Sequence, residues 1–267
     1  MAGLPTLARH CARGVPDGYR TRGTAFATAM VWEEASAWMD SVLASGMTVY
    51  DWSERRQGRT EFRGRGPVFS VPAPAAGPDG AARWAVRHFL RGGAMAMHMG
   101  DRYVRVGRPR PFRELAASMT ARARGVRTPA VVCGVIYPDG PFYRADLVTE
   151  VVPNTRTLAD TLYEQDGTRG WLVAMTRSGE LIRRLADAGV FHVDLNAHNI
   201  LLTEEPDGDV FVVDLDRARI LSHSSKSARE RMTARLIRSI VKVGTPTGER
   251  LAESEIETAL NRRPDAL

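Results

Sequence analysis

The chain has 267 residues, 43% of them hydrophobic and 25% charged, a profile that excludes a disordered polypeptide and allows one large domain or two small lobes. Its 37 Lys and Arg against 31 Asp and Glu give a net charge of +6, which suits anionic partners such as nucleotides, phospholipid headgroups or nucleic acid without selecting one. Cys11 and Cys133 are too few for a disulfide framework and lack metal-ligand spacing, so a reducing cytosol is expected.

No run approaches the ~18 apolar residues of a membrane span, and Arg9, His10, Arg13 and Asp17 break up any apolar signal core. A cytoplasmic protein, with peripheral membrane contact left open, is the expectation.

In chain order, Trp32 to Leu43 carries apolar residues at three-to-four spacing and predicts a helix. From Phe62 to Phe89 the texture turns β-like. Two strands flank the turn Gly64-Arg65-Gly66, and a Pro/Ala/Gly connector (Pro72 to Gly80) leads to a third strand, Trp84 to Phe89. Pro109 to Arg124 predicts a helix closed by Gly125. Ala130 to Ile136 and Tyr143 to Val152 predict strands about the turn Tyr137-Pro138-Asp139-Gly140.

Thr157 to Tyr163 reads as a short helix and Trp171 to Ala188 as a longer amphipathic one ended by Gly189. Ile200 to Leu202 and Val210 to Val213 are short strands. A basic amphipathic helix, Ser225 to Val241, and a short C-terminal helix complete the chain. The order predicts an α+β fold of two lobes, 1–150 and 151–267, with a connector near Thr149 to Pro153.

The chemistry centres on His192-Val193-Asp194-Leu195-Asn196-Ala197-His198-Asn199, which matches H-x-D-L-x-x-x-N at every fixed position, after a helix and before a strand. Phosphoryl transfer needs a carboxylate to orient the acceptor hydroxyl and oxygen ligands to hold Mg²⁺ against the phosphates. Asp194 fits the first role; Asn199 and Asp214, the latter ending an apolar strand, fit the second. Two other readings stay open: polar residues on a surface turn, or a transition-metal site from His192, Asp194 and His198, for which no further His or Cys lies nearby. His192 reads as a brace for the loop, and His198 as a turn or surface residue.

Gly64 and Gly66 could let backbone N–H groups approach phosphates, or could serve an ordinary hairpin turn. A kinase also needs a cation on the third strand and a carboxylate on the next helix. The strand offers Arg87, because the only lysines in the chain are Lys226 and Lys242, and the helix offers Glu114. Arginine is always charged and grips phosphate bidentately, but it is not interchangeable with lysine.

Several segments together resemble the Kdo (3-deoxy-D-manno-octulosonic acid) kinases, in the lipopolysaccharide kinase group of the protein-kinase-like superfamily. They are Gly64-Arg65-Gly66-Pro67; Val86 to Gly93, with its Arg-Gly-Gly; Phe112-Arg113-Glu114; Tyr143 to Leu147; His192 to Leu202, with its Asn-Ala-His-Asn; and Val213 to Ile220. The resemblance implies a two-lobed kinase-like fold with an antiparallel-sheet N-terminal lobe and a shortened, mainly helical C-terminal lobe. It implies ATP and Mg²⁺ as cofactors and phosphorylation of the 4-hydroxyl of Kdo on Kdo-lipid A at the cytoplasmic face of the inner membrane, with no nucleic-acid partner.

By the same resemblance Asp194 is the catalytic base, Asn199 and Asp214 are the Mg²⁺ ligands, and Glu114 pairs with the third-strand cation. Glu150 to Val152 would meet adenine through backbone groups. Asp214-Leu215-Asp216 stands where protein kinases have Asp-Phe-Gly, and no Ala-Pro-Glu follows, which disfavours a protein acceptor. Arg217, Arg219, Arg229, Arg231, Arg235, Arg238 and Lys242 form a basic group suited to sugar carboxylates, phosphates or headgroups, or to a solvated helix face. A heptose or other small-molecule kinase of the same fold, and a nucleotide-binding pseudokinase scaffold, are the alternatives.

Overall fold

The computed structural model describes residues 14–62, 66–90, 100–164, 168–205, 208–243 and 252–262. The strands are β1 (Tyr19–Gly23), β2 (Thr28–Trp32), β3 (Thr60–Phe62), β4 (Val68–Pro72), β5 (Arg83–His88), β6 (Tyr103–Val104), β7 (Val131–Asp139), β8 (Phe142–Glu150), β9 (Thr155–Thr157), β10 (Val190–Phe191), β11 (Ile200–Thr203), β12 (Val210–Val212) and β13 (Arg219–Ile220). The α-helices are α1 (Ser36–Ala44), α2 (Val49–Glu54), α3 (Arg110–Ala123), α4 (Leu158–Glu164), α5 (Thr168–Asp187), α6 (Lys226–Val243) and α7 (Glu253–Asn261). Together they make an α+β chain that divides into two compact units, residues 1–116 with 130–151, and 117–129 with 152–267.

The first unit is built on one antiparallel sheet of order β1-β2-β7-β8-β5-β4-β3, with β6 added on β8. β5 pairs with both β4 and β8, Arg87 lying opposite Val68 on one side and Leu147 on the other. The 3-to-4 pattern from Trp32 to Leu43 resolves differently than expected. Trp32 ends β2, a 3-10 turn covers Glu33–Ala35, and α1 starts only at Ser36. β1, β2 and α2 carry no clear amphipathic period and were not foreseen. Trp38 packs edge-on against both Trp52 and Trp84, at 5.0 and 4.9 Å between ring centroids. Such pairs add about 0.5–1.5 kcal/mol each beyond the area they bury.

The second unit has its own core of Leu158, Met175, Ile182, Leu185, Leu195, Ile200 and Leu236, from α4, α5, α6 and the segments between them. β11 pairs with β12 and β9 in a small antiparallel sheet. From α5, the Arg177 guanidinium donates to the carbonyls of Thr203, Glu205 and Asp209 and to the Thr203 hydroxyl, which fixes the β11–β12 turn. Thr157 caps α4 by accepting the Asp160 N–H at 3.0 Å, and Gly189 ends α5 at φ 65°.

α5 and α7 approach so closely at Gly179 that an added Cβ would fall on the Leu260 carbonyl. Gly179→Ala should therefore destabilise the protein by about 1–3 kcal/mol, the usual range for overpacking, although alanine favours a helix. A lower urea midpoint with unchanged slope would show it; a midpoint at or above wild type would refute the close approach.

Candidate active site

The candidate residues fall in both units. In the first, β5 and α3 bring Arg87 and Glu114 together, with Nη2 to Oε2 at 2.5 Å. Glu114 is buried, whereas Arg87 remains partly exposed and also lies over the Phe89 ring at 4.7 Å. A buried carboxylate that holds a half-exposed cation fixes the direction in which that cation presents its remaining N–H groups. Gly66 is drawn against Leu90, whose Cδ1 stands 2.5 Å from where a Cβ would be. Gly64 and the Arg-Gly-Gly run that starts at Arg91 lie outside the described residues.

Glu150 serves in a way its sequence neighbours do not announce. Its buried carboxylate accepts the N–H groups of Asp79 (2.8 Å) and Ala81 (3.0 Å) and so pins the loop between β4 and β5. Its own N–H goes to the Ala130 carbonyl and that of Val151 to the Arg83 carbonyl. The Val152 carbonyl accepts the Thr155 hydroxyl at 3.0 Å.

The neighbour of Arg87 on β5 belongs to a second network. His88 Nδ1 meets Asp146 at 2.6 Å and Nε2 meets Asp101 at 2.9 Å, so both ring nitrogens face carboxylates. Asp146 is fully buried and also accepts from the Tyr137 hydroxyl (2.7 Å) and the Tyr50 N–H (2.9 Å). The signal for it was spread over three distant segments.

In the second unit, the run from His192 to Asn199 is held from several sides. The Asp194 carbonyl accepts the side-chain amides of Asn196 (2.9 Å) and Asn199 (3.3 Å). Asn196 Oδ1 accepts the His198 N–H, capping the 3-10 turn Ala197–Asn199. The Ala197 N–H reaches the Ser239 hydroxyl of α6 at 3.1 Å. Leu195 is buried in the core while Asp194 stays part-exposed and His198 is exposed, as the alternation of apolar and polar residues in the loop requires.

Asp214 lies beside this loop because the Val213 N–H donates to the Asn199 carbonyl at 3.0 Å. The Val213 carbonyl in turn accepts His192 Nε2–H at 3.0 Å. Asp214 itself adopts φ 65°, ψ 54°, a left-handed conformation that costs a non-glycine residue about 1 kcal/mol or more and is concentrated at functional sites. Burial holds the His192 imidazole below its ordinary pKa, against the opposing pull of the Val213 carbonyl and of Asp214, Asp194 and Asp216. Burial thus favours the neutral ring, whose Nε2–H faces the Val213 carbonyl.

Asn199 and Asp214 offer one amide and one carboxylate oxygen, a hard-donor pair of the kind Mg²⁺ takes when phosphates and water complete its shell. Among the described residues no group of three His, Cys, Asp or Glu stands together as a metal site, which leaves the transition-metal reading of His192, Asp194 and His198 without support. His192 is buried and committed to Val213.

Two cations close on Asp194 that the loop pattern did not pair with it. Arg217 Nη1 lies 2.5 Å from Oδ2, and Arg235 Nη2 lies 3.2 Å from Oδ1. The three-residue step from Asp214 to Arg217 and the basic face of α6 were the available signals.

The His88 network carries a pH dependence. Burial opposes protonation, but the hydrogen bonds and charges of Asp146 and Asp101 outweigh it and raise the pKa above 6.5. Protons then bind the folded state more tightly, so this stabilisation is complete below the unfolded value and fades as pH rises through the folded one. His88→Gln should lower the melting temperature more at pH 6 than at pH 9; an equal loss at both would contradict the imidazolium assignment.

With this geometry established, comparison with known proteins identifies the lineage. Residues 51–257 match the model of the lipopolysaccharide kinase (Kdo/WaaP) family. The chain is 33% identical over 192 residues to a 3-deoxy-D-manno-octulosonic acid kinase of Stenotrophomonas maltophilia, covering 71% of each chain. To the protein of the same name from Xanthomonas oryzae it is 34% identical over 209 residues, 77% of this chain and 78% of that one. A solved structure of WaaP in complex with acyl carrier protein superposes with a TM-score of 0.49 at 20% identity, over 84% of this chain and 87% of that one. The chain belongs to the lipopolysaccharide kinase (Kdo/WaaP) family.

Proposed function

We propose that this phosphotransferase moves the γ-phosphoryl group of ATP to the 4-hydroxyl of a Kdo residue on Kdo-lipid A, in lipopolysaccharide core biosynthesis. The observation that carries the reading is the second unit's constellation. A part-exposed carboxylate at Asp194 stands on a loop whose last residue, Asn199, accepts through its carbonyl the N–H of Val213, the residue before Asp214. The names of the relatives support the choice of acceptor.

In this reading Asp194 accepts the acceptor's hydroxyl proton as the new O–P bond forms and the bond to the β-phosphate oxygen breaks, releasing ADP. Asn199 and Asp214 hold the divalent ion, Mg²⁺, which when bound neutralises phosphate charge. Arg87, oriented by Glu114, takes phosphate oxygens in place of lysine, and the glycines at 64 and 66 cover the phosphates. The Glu150 and Val152 backbone groups face adenine. Kdo-lipid A is a membrane lipid, so the chain acts at the cytoplasmic face of the inner membrane by peripheral contact; no described helix is long and apolar enough to span it.

Transfer of label from γ-labelled ATP, measured with Kdo-lipid A, heptosylated acceptors and free sugars, tests the reading. Phosphate should appear on Kdo and depend on Mg²⁺, with chelation abolishing it. Preference for a heptose would redirect the substrate, and ATP binding without transfer to any acceptor would leave a scaffold. Asp194→Asn should lower kcat about 10²–10⁴-fold, the range of general-base catalysis, with nucleotide affinity retained. Full turnover by that variant would remove the base assignment.

A further inference from the structure

We propose that Arg217 and Arg235 are the acceptor's anion clamp, bridging the catalytic carboxylate to an anionic group of the sugar so that its hydroxyl is delivered to Asp194. This rests on the phosphotransfer reading above and adds the origin of acceptor selectivity. The two guanidinium groups come from different elements, the 3-10 turn Leu215–Arg217 just after Asp214 and the middle of α6. They converge on one carboxylate and divide it, Arg217 on Oδ2 and Arg235 on Oδ1.

Two cations on one carboxylate bring more positive charge than that carboxylate balances. Their placement makes chemical sense if the acceptor brings a charge of its own to share them. Each guanidinium has five N–H donors and spends few of them on Asp194. Both arginines remain open to solvent, with side chains 58% and 46% exposed, against 31% for Asp194. An incoming carboxylate or phosphate can therefore take the outward N–H groups without displacing the inward ones.

Planar forks of this kind recognise carboxylate and phosphate bidentately, which fixes the angle as well as the distance of the ligand. A neutral sugar would leave both cations wholly on Asp194. Arg238 and Lys242, three and seven residues beyond Arg235, are exposed and extend the positive face along α6. The ligand is thus an anionic oxygen group on the acceptor, either the carboxylate of the acidic sugar or a phosphate on its lipid carrier.

Steady-state kinetics with three acceptors tests this: intact Kdo-lipid A, the same glycolipid with the sugar carboxylate reduced to an alcohol, and the glycolipid with its lipid phosphates removed. Wild type is compared with Arg217→Met, Arg235→Met and Arg235→Lys. Each methionine variant should raise the KM for the intact acceptor at least tenfold and leave the KM for ATP within twofold, and the lysine variant should fall between. The decisive result is coupling. On the acceptor that lacks the recognised anion, the wild type should lose as much as the variants do and the variants should lose little more.

Coupling with the reduced sugar identifies the carboxylate, and coupling with the dephosphorylated lipid identifies the phosphate. Variants that lose equally on all three acceptors, or keep the wild-type acceptor KM, overturn the clamp while transfer itself stands. Wild-type protein that phosphorylates none of the acceptors fails the underlying reading instead.

Discussion

The site of the second unit depends on the backbone of one residue. The N–H of Val213 is taken by the Asn199 carbonyl, and its carbonyl is taken by His192. Both ends of the loop from His192 to Asn199 are thereby bonded to the residue before Asp214. A backbone held at both its donor and its acceptor has little freedom, and the left-handed turn at Asp214 is sustained by that restraint. His192 donates to that carbonyl from Nε2, and its burial favours the neutral imidazole. The candidate base and the candidate metal ligands thus lie on backbone segments bonded to one another, the kind of fixed placement that catalysis by positioning requires.

The first unit shows the same economy with a different residue. Buried Glu114 fixes Arg87 against the Phe89 ring, so a planar, permanently charged group is held in one orientation on β5. A guanidinium is planar, stacks on aromatic faces and pairs with carboxylates through a pre-organised fork. The ring beneath and the carboxylate beside it use both of those properties. An arginine here also fits a chain with only two lysines.

The legible parts of the fold were those with strong local signals. α3, α5 and α6 announced themselves by apolar period and by the glycines past the ends of the first two. The β7–β8 hairpin was marked by Tyr137-Pro138-Asp139-Gly140, although β7 runs on through Asp139 and the turn itself is Gly140 and Pro141. β1 and β2 were missed because Tyr19–Gly23 is polar and Thr28–Trp32 is a short apolar run ending on a residue that also fits a helical stripe. Tertiary pairing with β7, not local preference, makes β2 a strand.

At the site, the loop pattern named Asp194, Asn199 and Asp214 because their chemistry resides in contiguous sequence. The ion pairs from Arg217 and Arg235 join residues 23 and 41 positions away from Asp194. Nothing in a linear reading ranks those two arginines above their basic neighbours. The side-chain role of Glu150 was hidden likewise, since its partners, the Asp79 and Ala81 backbones, bear no side-chain signature.

The claim that Val213 ties base and metal carboxylate into one piece is tested most directly by the metal affinity of His192→Leu. Mn²⁺ titrated in the presence of ATP and followed by electron paramagnetic resonance reads that affinity without turnover. Loss of an outer hydrogen bond to a ligand-bearing segment should weaken binding about 10–100-fold, while the far-ultraviolet circular dichroism stays that of wild type. Undiminished Mn²⁺ affinity in a folded His192→Leu protein would contradict the account.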